Sequence, residues 1–439
     1  MNPPVFRRRG FIKSTAAAAS ALAFPLVASR NVLGANERLN VAGIGVGGKG
    51  AVDVDGCAGE NIVALCDVDE ANARATFSKY STAKRYKDFR VLLEKEKSID
   101  AVTISTPDHM HALPAAMAIK MKKHVYLQKP LTHTVYEARR LTELAKFYKV
   151  ATQMGNQGHS NAGTRRMVEL IRSGVLGRIQ EIHCWTDRPI WPQAIDRPSG
   201  SHRIPSTLDW DLWLGVAPER PFNPAYAPFK WRGFWDFGTG ALGDMGCHVM
   251  DLPFFALDLK NLVRVKAFAP KGNPESAPAW SVITYHFEQS ATHPDLKLVW
   301  YDGGQKPSPE AARGLKLSSN GVLIHGSEDT LYVDSYWGSG RFLSGRPLSE
   351  FKSVSEYLPK SEDFDRNHYR EWIAACKGGA AALSNFDYAG PLTEAVLLGN
   401  VALRTGEAID WSSRGMKITN VDEASRLLHK KYRKGWGEI

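Results

Sequence analysis

A chain of 439 residues has room for two or three domains, and 43% hydrophobic with 23% charged residues is the composition of an ordinary globular protein with a sizeable core. The net charge of +10 does not make it a nucleic-acid binder: its cations are dispersed, several sit in the N-terminal leader or at Lys430, Lys431, Arg433 and Lys434, and none builds a basic stripe interleaved with aromatics. Five widely spaced cysteines, odd in number and without a CxxC pair, argue against a disulfide framework and a structural zinc site.

The chain opens with Arg8-Arg9-Gly10-Phe11-Ile12-Lys13, an Ala-rich run from Thr15 to Ala28, and small residues around Val27-Ala28-Ser29. A charged region, an apolar region and a small-residue cleavage site make a signal sequence, and the arginine pair followed by Phe11 matches the twin-arginine type. Residues 1–35 are read as this leader, with cleavage after Ser29 or Ala35 and a periplasmic or exported destination. The apolar run is short, Ala-rich and broken by Pro25, so membrane contact is expected only through the export signal. The twin-arginine route carries folded proteins, so a cofactor can leave in place.

Short apolar strands then alternate with helical segments. Strands are predicted at 39–44, 61–66, 101–105, 124–127 and 150–154, and helices after the first strand through Val52 and near 70–79, 88–95, 112–121 and 135–147. This alternation predicts a parallel, doubly wound sheet, and residues 36–157 are assigned to it as a Rossmann domain. The remainder, 158–439, is a second α/β domain. Its stretch from Trp185 to Trp235 holds half of the twelve tryptophans, with much proline and little periodicity, and is read as long ordered loops. Strands of a mostly antiparallel sheet follow from Val263 onward, at 280–287, 296–301 and 330–333, with helices near 365–377 and 392–404.

Gly45-Val46-Gly47-Gly48-Lys49-Gly50 is a G-x-G-x-x-G between a strand and a helix, followed about twenty residues on by Asp67 at the end of the second strand. The glycines let the backbone turn tightly against a pyrophosphate, and the helix N-terminus offers it free N–H donors. Gly45, Gly47, Gly48 and Gly50 are therefore candidate cofactor residues. Asp67 would accept from ribose hydroxyls and repel a 2′-phosphate, which favours NAD over NADP.

Four segments carry a family resemblance: the glycine loop with its strand from Val41, Thr106-Pro107-Asp108-His109-Met110-His111, Gln128-Lys129-Pro130, and Gly243-Asp244-Met245-Gly246-Cys247-His248. Their order and spacing resemble the glucose–fructose oxidoreductase / inositol dehydrogenase (Gfo/Idh/MocA) family across nearly all of the chain after the leader. The resemblance implies a C-terminal domain with a large open sheet, bound NAD(P), sugar or cyclitol substrates, and a homo-oligomer, dimer or tetramer, formed through that sheet. It implies that Lys129 sits beside the nicotinamide as an acid/base, that His248 is the principal proton acceptor, and that Asp244 orients substrate or imidazole. It places Thr106, Pro107, His111, Gln128 and Lys129 on the cofactor side, His111 being alternatively a cap of the following helix. The family's usual glutamate before the lysine is Gln128 here, which keeps a hydrogen bond but loses the charge.

Asp244 and His248 are four apart, so a helix would place both on one face. The pair is assigned to proton transfer and no metal is expected, although extension to Asp251 is the alternative cation site. In the tryptophan-rich segment, Trp191 and Trp235 are candidate sugar platforms, with Arg188, Arg232, Asp187 and His202 as hydroxyl partners, and His159 follows the last strand of the first domain. Together these residues predict an exported oxidoreductase moving hydride between tightly bound NAD and a hydroxyl of a sugar, glycoside or cyclitol. The alternative is an NAD-dependent glycosidase that oxidises transiently and eliminates.

Overall fold

The first strand, β1 (Asn40–Ile44), is buried from Val41 onward, so both of its faces need cover. The computed structural model, which describes residues 38–439, supplies it with helices on both sides of a six-stranded sheet. The twin-arginine leader lies outside the described residues. After β1 come α1 (Lys49–Gly56), β2 (Asn61–Cys66), α2 (Glu70–Lys79), β3 (Lys84–Tyr86), α3 (Phe89–Lys95), β4 (Ala101–Ile104), α4 (Ala112–Lys120), β5 (His124–Leu127), α5 (Val135–Tyr148) and β6 (Thr152–Met154). The strand order is β3-β2-β1-β4-β5-β6, all parallel, and it reverses direction at β1 and β4. That switch point opens a crevice at the C-terminal strand ends, where dinucleotides bind in such sheets.

Local chemistry starts these helices where the sequence predicts them. Asp69 and Asp88 cap α2 and α3 through their side chains, and Thr134 with Glu137 forms a capping box on α5. β3 carries no apolar pattern, since Lys84 and Arg85 are exposed. It exists because it completes the edge beside β2, which composition alone does not reveal.

The second half contains α6 (Ala162–Arg172), β7 (Ile179–Trp185), α7 (Trp210–Leu214), α8 (Gly240–Val249), α9 (Asp251–Leu257), β8 (Leu262–Phe268), β9 (Val282–Phe287), β10 (Leu296–Tyr301), β11 (Gly321–Gly326), β12 (Thr330–Val333), β13 (Arg341–Phe342), α10 (Phe364–Cys376), α11 (Phe386–Thr405), β14 (Ile409–Ser412) and β15 (Lys417–Ile418). The last nine strands build one sheet ordered β13-β12-β11-β7-β10-β9-β8-β14-β15, antiparallel except where β10 runs beside β7. Strand β7 enters the middle of this sheet, so the loop-rich segment begins only after Trp185. That segment is irregular apart from α7 and short 3-10 turns, and it folds on its own aromatic core of Trp210, Trp213, Phe222, Tyr226, Trp231, Phe234 and Phe237.

Helix α11 ties the halves together, packing on α5 of the first domain and on α8 and β8 of the second. It begins at Phe386, capped by Asn385, and runs through Pro391. The helix expected near 392–404 thus begins six residues earlier; packing on three elements outweighs the one backbone hydrogen bond that Pro391 cannot make. Arg139 of α5 grips Glu394 of α11 with two hydrogen bonds, Nε to Oε1 at 2.6 Å and Nη2 to Oε2 at 2.7 Å. Glu394 is only 6% exposed. Arg139→Ala therefore leaves a buried carboxylate unpaired and is expected to cost about 3 kcal/mol in denaturant unfolding. Adding Glu394→Gln should recover part of that loss; a single-variant cost near zero would show that the pair does not join the domains.

Candidate active site

The glycine loop spans the gap between β1 and α1. Gly45 has φ +73° and lies against the backbone of Ser105 and Thr106, where a Cβ would sit 2.9 Å from three atoms. At Gly50 a Cβ would overlap the carbonyl oxygen of Gly45. Any larger residue at either position would open the loop, so the glycines make a tight anion cradle at the N-terminus of α1. Asp67, 8% exposed, braces this cradle from β2: one oxygen accepts from the N–H groups of Val46 (2.8 Å) and Gly47 (3.0 Å), the other from Asp69 (2.9 Å). A carboxylate has about four acceptor positions, so a ribose hydroxyl can take the one that remains. Burial raises the Asp67 pKa and these three backbone bonds oppose it. The residues fit an NAD: backbone donors for the pyrophosphate, an acidic acceptor for the ribose, and acidic rather than basic neighbours in Asp69 and Glu70.

Thr106 and Pro107 form the half-buried rim after β4, and the Thr106 hydroxyl donates to the Met110 carbonyl (3.0 Å). His111 stands at the N-cap position of α4 but makes no side-chain cap. It lies instead between two carbonyls, 2.8 Å from Pro130 O and 2.8 Å from Thr106 O. Its work is to tie the rim after β4 to the Lys129-Pro130 turn after β5. The His109 ring likewise lies between Phe237 O (3.2 Å) and Trp213 O (3.0 Å); burial, with Lys430 next, pushes its pKa down to about 3, so the neutral ring donates its one N–H to one of these carbonyls.

Helix α8 is buried along its length except at Asp244 and His248, which share the one open face. Lys129 crosses from the first domain to this face: its Nζ lies 2.8 Å from Asp244 Oδ1 and 3.1 Å from the Asp244 carbonyl. Arg232 adds a longer contact, Nε to Asp244 Oδ1 at 3.4 Å. Burial alone would raise the Asp244 pKa, but Lys129 and Arg232 overcome it and hold the carboxyl at about 2. Asp244 thus orients Lys129, not the imidazole. His248 has its Nδ1 buried without a hydrogen-bond partner. Burial, and after it the positive charge of Lys129, pushes the His248 pKa down to about 3. The ring is neutral at physiological pH and keeps a lone pair for a proton.

Gln128 acquires a reason. Its Nε2 donates to Asp53 of α1, at 2.9 Å to Oδ2 and 3.1 Å to Oδ1. Asp53 is 0% exposed and also accepts from Ser105 Oγ (2.6 Å) and Tyr369 OH (2.7 Å), with Lys49 Nζ at 3.2 Å. A glutamate at position 128 would set a second carboxylate against this buried one. In this chain the anion at this point is Asp53 of α1, and Gln128 serves it as a neutral donor. Sequence reading missed Asp53, Lys49 and Tyr369 as a set, because Tyr369 lies more than three hundred positions away.

The second-domain candidates separate. Arg188 is near enough for its charge to lower the His248 pKa, and it pairs with Asp187. His202 is exposed on the long loop. Trp191 is 5% exposed with its N–H given to Gln193 Oε1 (3.0 Å). Trp235 is 8% exposed, donates to Asn273 O (3.2 Å), and lines a different cavity with His133 and Arg404. These two tryptophans are packing residues, so the expected sugar platform is not at either. His159 is 0% exposed, bound through Nδ1 to Asp251 (2.9 Å) and packed at a tilt against the rings of Phe255 and Tyr388. It is wholly interior and offers no surface to a substrate. Asp251, the alternative cation ligand, is taken up by His159, Asn156 and Tyr388.

Two family models match this chain, an "oxidoreductase family, NAD-binding Rossmann fold" over residues 39–156 and an "oxidoreductase family, C-terminal alpha/beta domain" over residues 161–295. Both are models of one family and together they match more than half of the chain. The chain belongs to the Gfo/Idh/MocA oxidoreductase family. It is similar to inositol 2-dehydrogenase of Salmonella typhimurium, 31% identical over 127 residues, which is 28% of this chain and 38% of that one. It is also similar to levoglucosan dehydrogenase of Pseudarthrobacter phenanthrenivorans, 22% identical over 56% of this chain and 57% of that one. The match thus spans less than half the length of the inositol dehydrogenase. The structure of the WlbA dehydrogenase from Bordetella pertussis, in complex with NADH and UDP-GlcNAcA, superposes with a TM-score of 0.63 over 86% of this chain and 98% of that one. At 15% identity that likeness is one of fold. The first domain is therefore an NAD-binding Rossmann domain within this family.

The Asp53–Gln128 contact yields a test by exchange. Gln128→Glu, with two carboxylates face to face, should lose about 2–4 kcal/mol of stability. Asp53→Asn combined with Gln128→Glu restores one carboxylate and one amide and should recover most of it in the double-mutant cycle. Equal, additive losses in thermal or denaturant unfolding would show that the two positions are not coupled.

Proposed function

We propose that this protein is an exported oxidoreductase that transfers hydride between tightly held NAD and a hydroxyl of a sugar, glycoside or cyclitol. The observation that carries the reading is the single open face of α8, where an unpartnered neutral imidazole stands beside a lysine anchored by a carboxylate. Relatives named for inositol and levoglucosan support a cyclic polyol as substrate.

In this reading the reacting hydroxyl lies between His248 and Lys129. The neutral His248 accepts the hydroxyl proton. Lys129, held by Asp244, turns its remaining N–H donors to the oxygen as charge builds there. NAD, when bound, supplies the hydride acceptor for the carbinol carbon. The cradle at Gly45–Gly50 and the Asp67 carboxylate hold the dinucleotide, and His111 keeps the Lys129 turn in register with the rim at Thr106. The twin-arginine leader supports export with the cofactor in place. The same reading assigns the nine-stranded sheet to a homodimer or homotetramer interface, as the family resemblance implies.

The purified protein should release NAD on denaturation and convert at least one member of a panel of sugars, aryl glycosides and cyclitols to a keto product with bound NADH. Lys129→Ala should keep NAD and lose about 10²–10⁴ in kcat; full activity would remove Lys129 from the mechanism. Aglycone release with no keto product would replace the oxidoreductase reading with the glycosidase one. In cells, Arg8→Lys with Arg9→Lys should hold the protein in the cytoplasmic fraction, and periplasmic recovery of that variant would sink export by this route.

A further inference from the structure

The segment between β12 and β13 carries Tyr336-Trp337-Gly338-Ser339, which neither the glycine loop nor the α8 chemistry uses. Both aromatic rings are half-buried and lean over α8. The ring centre of Tyr336 is 5.8 Å and that of Trp337 6.2 Å from the His248 imidazole. The two rings meet edge to face at 4.0 Å and 76°, and Phe364 at the start of α10 packs on the indole at 5.6 Å.

This placement is built by close contacts. Trp337 presses on Gly158, where a Cβ would come within 2.9 Å of two of its atoms. Ser339 presses in the same way on Gly163, a Cβ there lying 2.5 Å from its backbone nitrogen. The N–H of Gly338 donates to Thr164 Oγ1 at 2.9 Å. The segment is thus seated on the turn after β6 and on the first turn of α6. Most tryptophans of the second domain are buried in packing, whereas Trp337 is half-buried and its ring centre stands 6.2 Å from that of His248.

We propose that Trp337, with Tyr336 at its edge, is the platform against which the substrate ring lies while one ring hydroxyl meets His248. The inference rests on the oxidoreductase reading above and narrows its substrate to a six-membered ring polyol: a pyranose, a pyranoside or a cyclitol. Such a ring presents a face of C–H bonds, slightly positive at the surface, which complements the negative face of an indole. A rigid indole also gives contact area at little conformational cost. An open-chain polyol presents no such face.

The test uses the full-length protein, NAD-loaded for the kinetics and stripped of NAD for the cofactor titration, with the ring substrate found by the panel. Trp337→Ala should raise KM for that substrate about tenfold, while NADH affinity, read by fluorescence titration, is kept. Trp337→Phe retains an aromatic face and should keep KM within roughly threefold. Gly158→Ala displaces the indole without removing it and should raise KM in the same direction. An unchanged KM in Trp337→Ala overturns this inference and leaves the oxidoreductase reading standing, as does a loss of NADH affinity equal to the rise in KM. Turnover of open-chain polyols alone has the same result. Failure of the wild type to oxidise any hydroxyl overturns both.

Discussion

The ion pair between Lys129 and Asp244 is the contact on which the site depends. It joins the turn after β5 in the first domain to α8 in the second, and so brings the lysine to the face that carries His248. Its atoms are 2.8 Å apart, with the side chains 16% and 13% exposed. In such surroundings an unmatched charge is expensive, and each partner is tolerable because of the other. The Asp244 carboxyl is held at about 2, so the anchor stays charged throughout the neutral range. The same Lys129 charge helps to hold His248 neutral. The pair therefore sets the position of the lysine, and burial together with the lysine's charge keeps its neighbour neutral.

Several packed elements keep that pair in register. His111 spans the carbonyls of Thr106 and Pro130, which fixes the Lys129 turn against the rim after β4. Helix α11 lies along α8 and α5, and the Arg139–Glu394 contact pins it to α5. Behind the turn, Asp53 gathers donors from Ser105, Gln128, Tyr369 and Lys49 into one buried hub. This hub links the glycine loop, the Lys129 turn and α10. With Asp53 as the buried anion, an amide at Gln128 donates to it where a second carboxylate would be repelled.

The first domain was highly legible. Its strands are short and apolar, its helices are capped by Asp and Thr side chains, and its glycine loop must be glycine for steric reasons; each of these is a local property. The exceptions were β3, which has no apolar signal, and the start of α11, where packing carried a helix through Pro391. In the second domain the i, i+4 spacing of Asp244 and His248 was enough to predict their common face. Tryptophan was the weakest guide. Trp191 and Trp235 looked like sugar platforms because they stood near arginines in sequence, but their indole N–H groups are spent on Gln193 and Asn273. Trp337, in a segment with no recognisable motif, is the one that reaches the imidazole.

By itself the sequence determined the Rossmann cradle and the acidic residue that favours NAD, because each is carried by residues adjacent or regularly spaced along the chain, and its four short motifs carried the family resemblance that singled out Lys129, Asp244 and His248 as candidates. Only the tertiary structure decided which partner Asp244 takes, why Gln128 is an amide, that His159 is interior, and which aromatic ring stands beside His248. Those outcomes depend on contacts between residues 75 or more positions apart, and on which side of a buried helix is left open. Spacing along a chain holds no record of either.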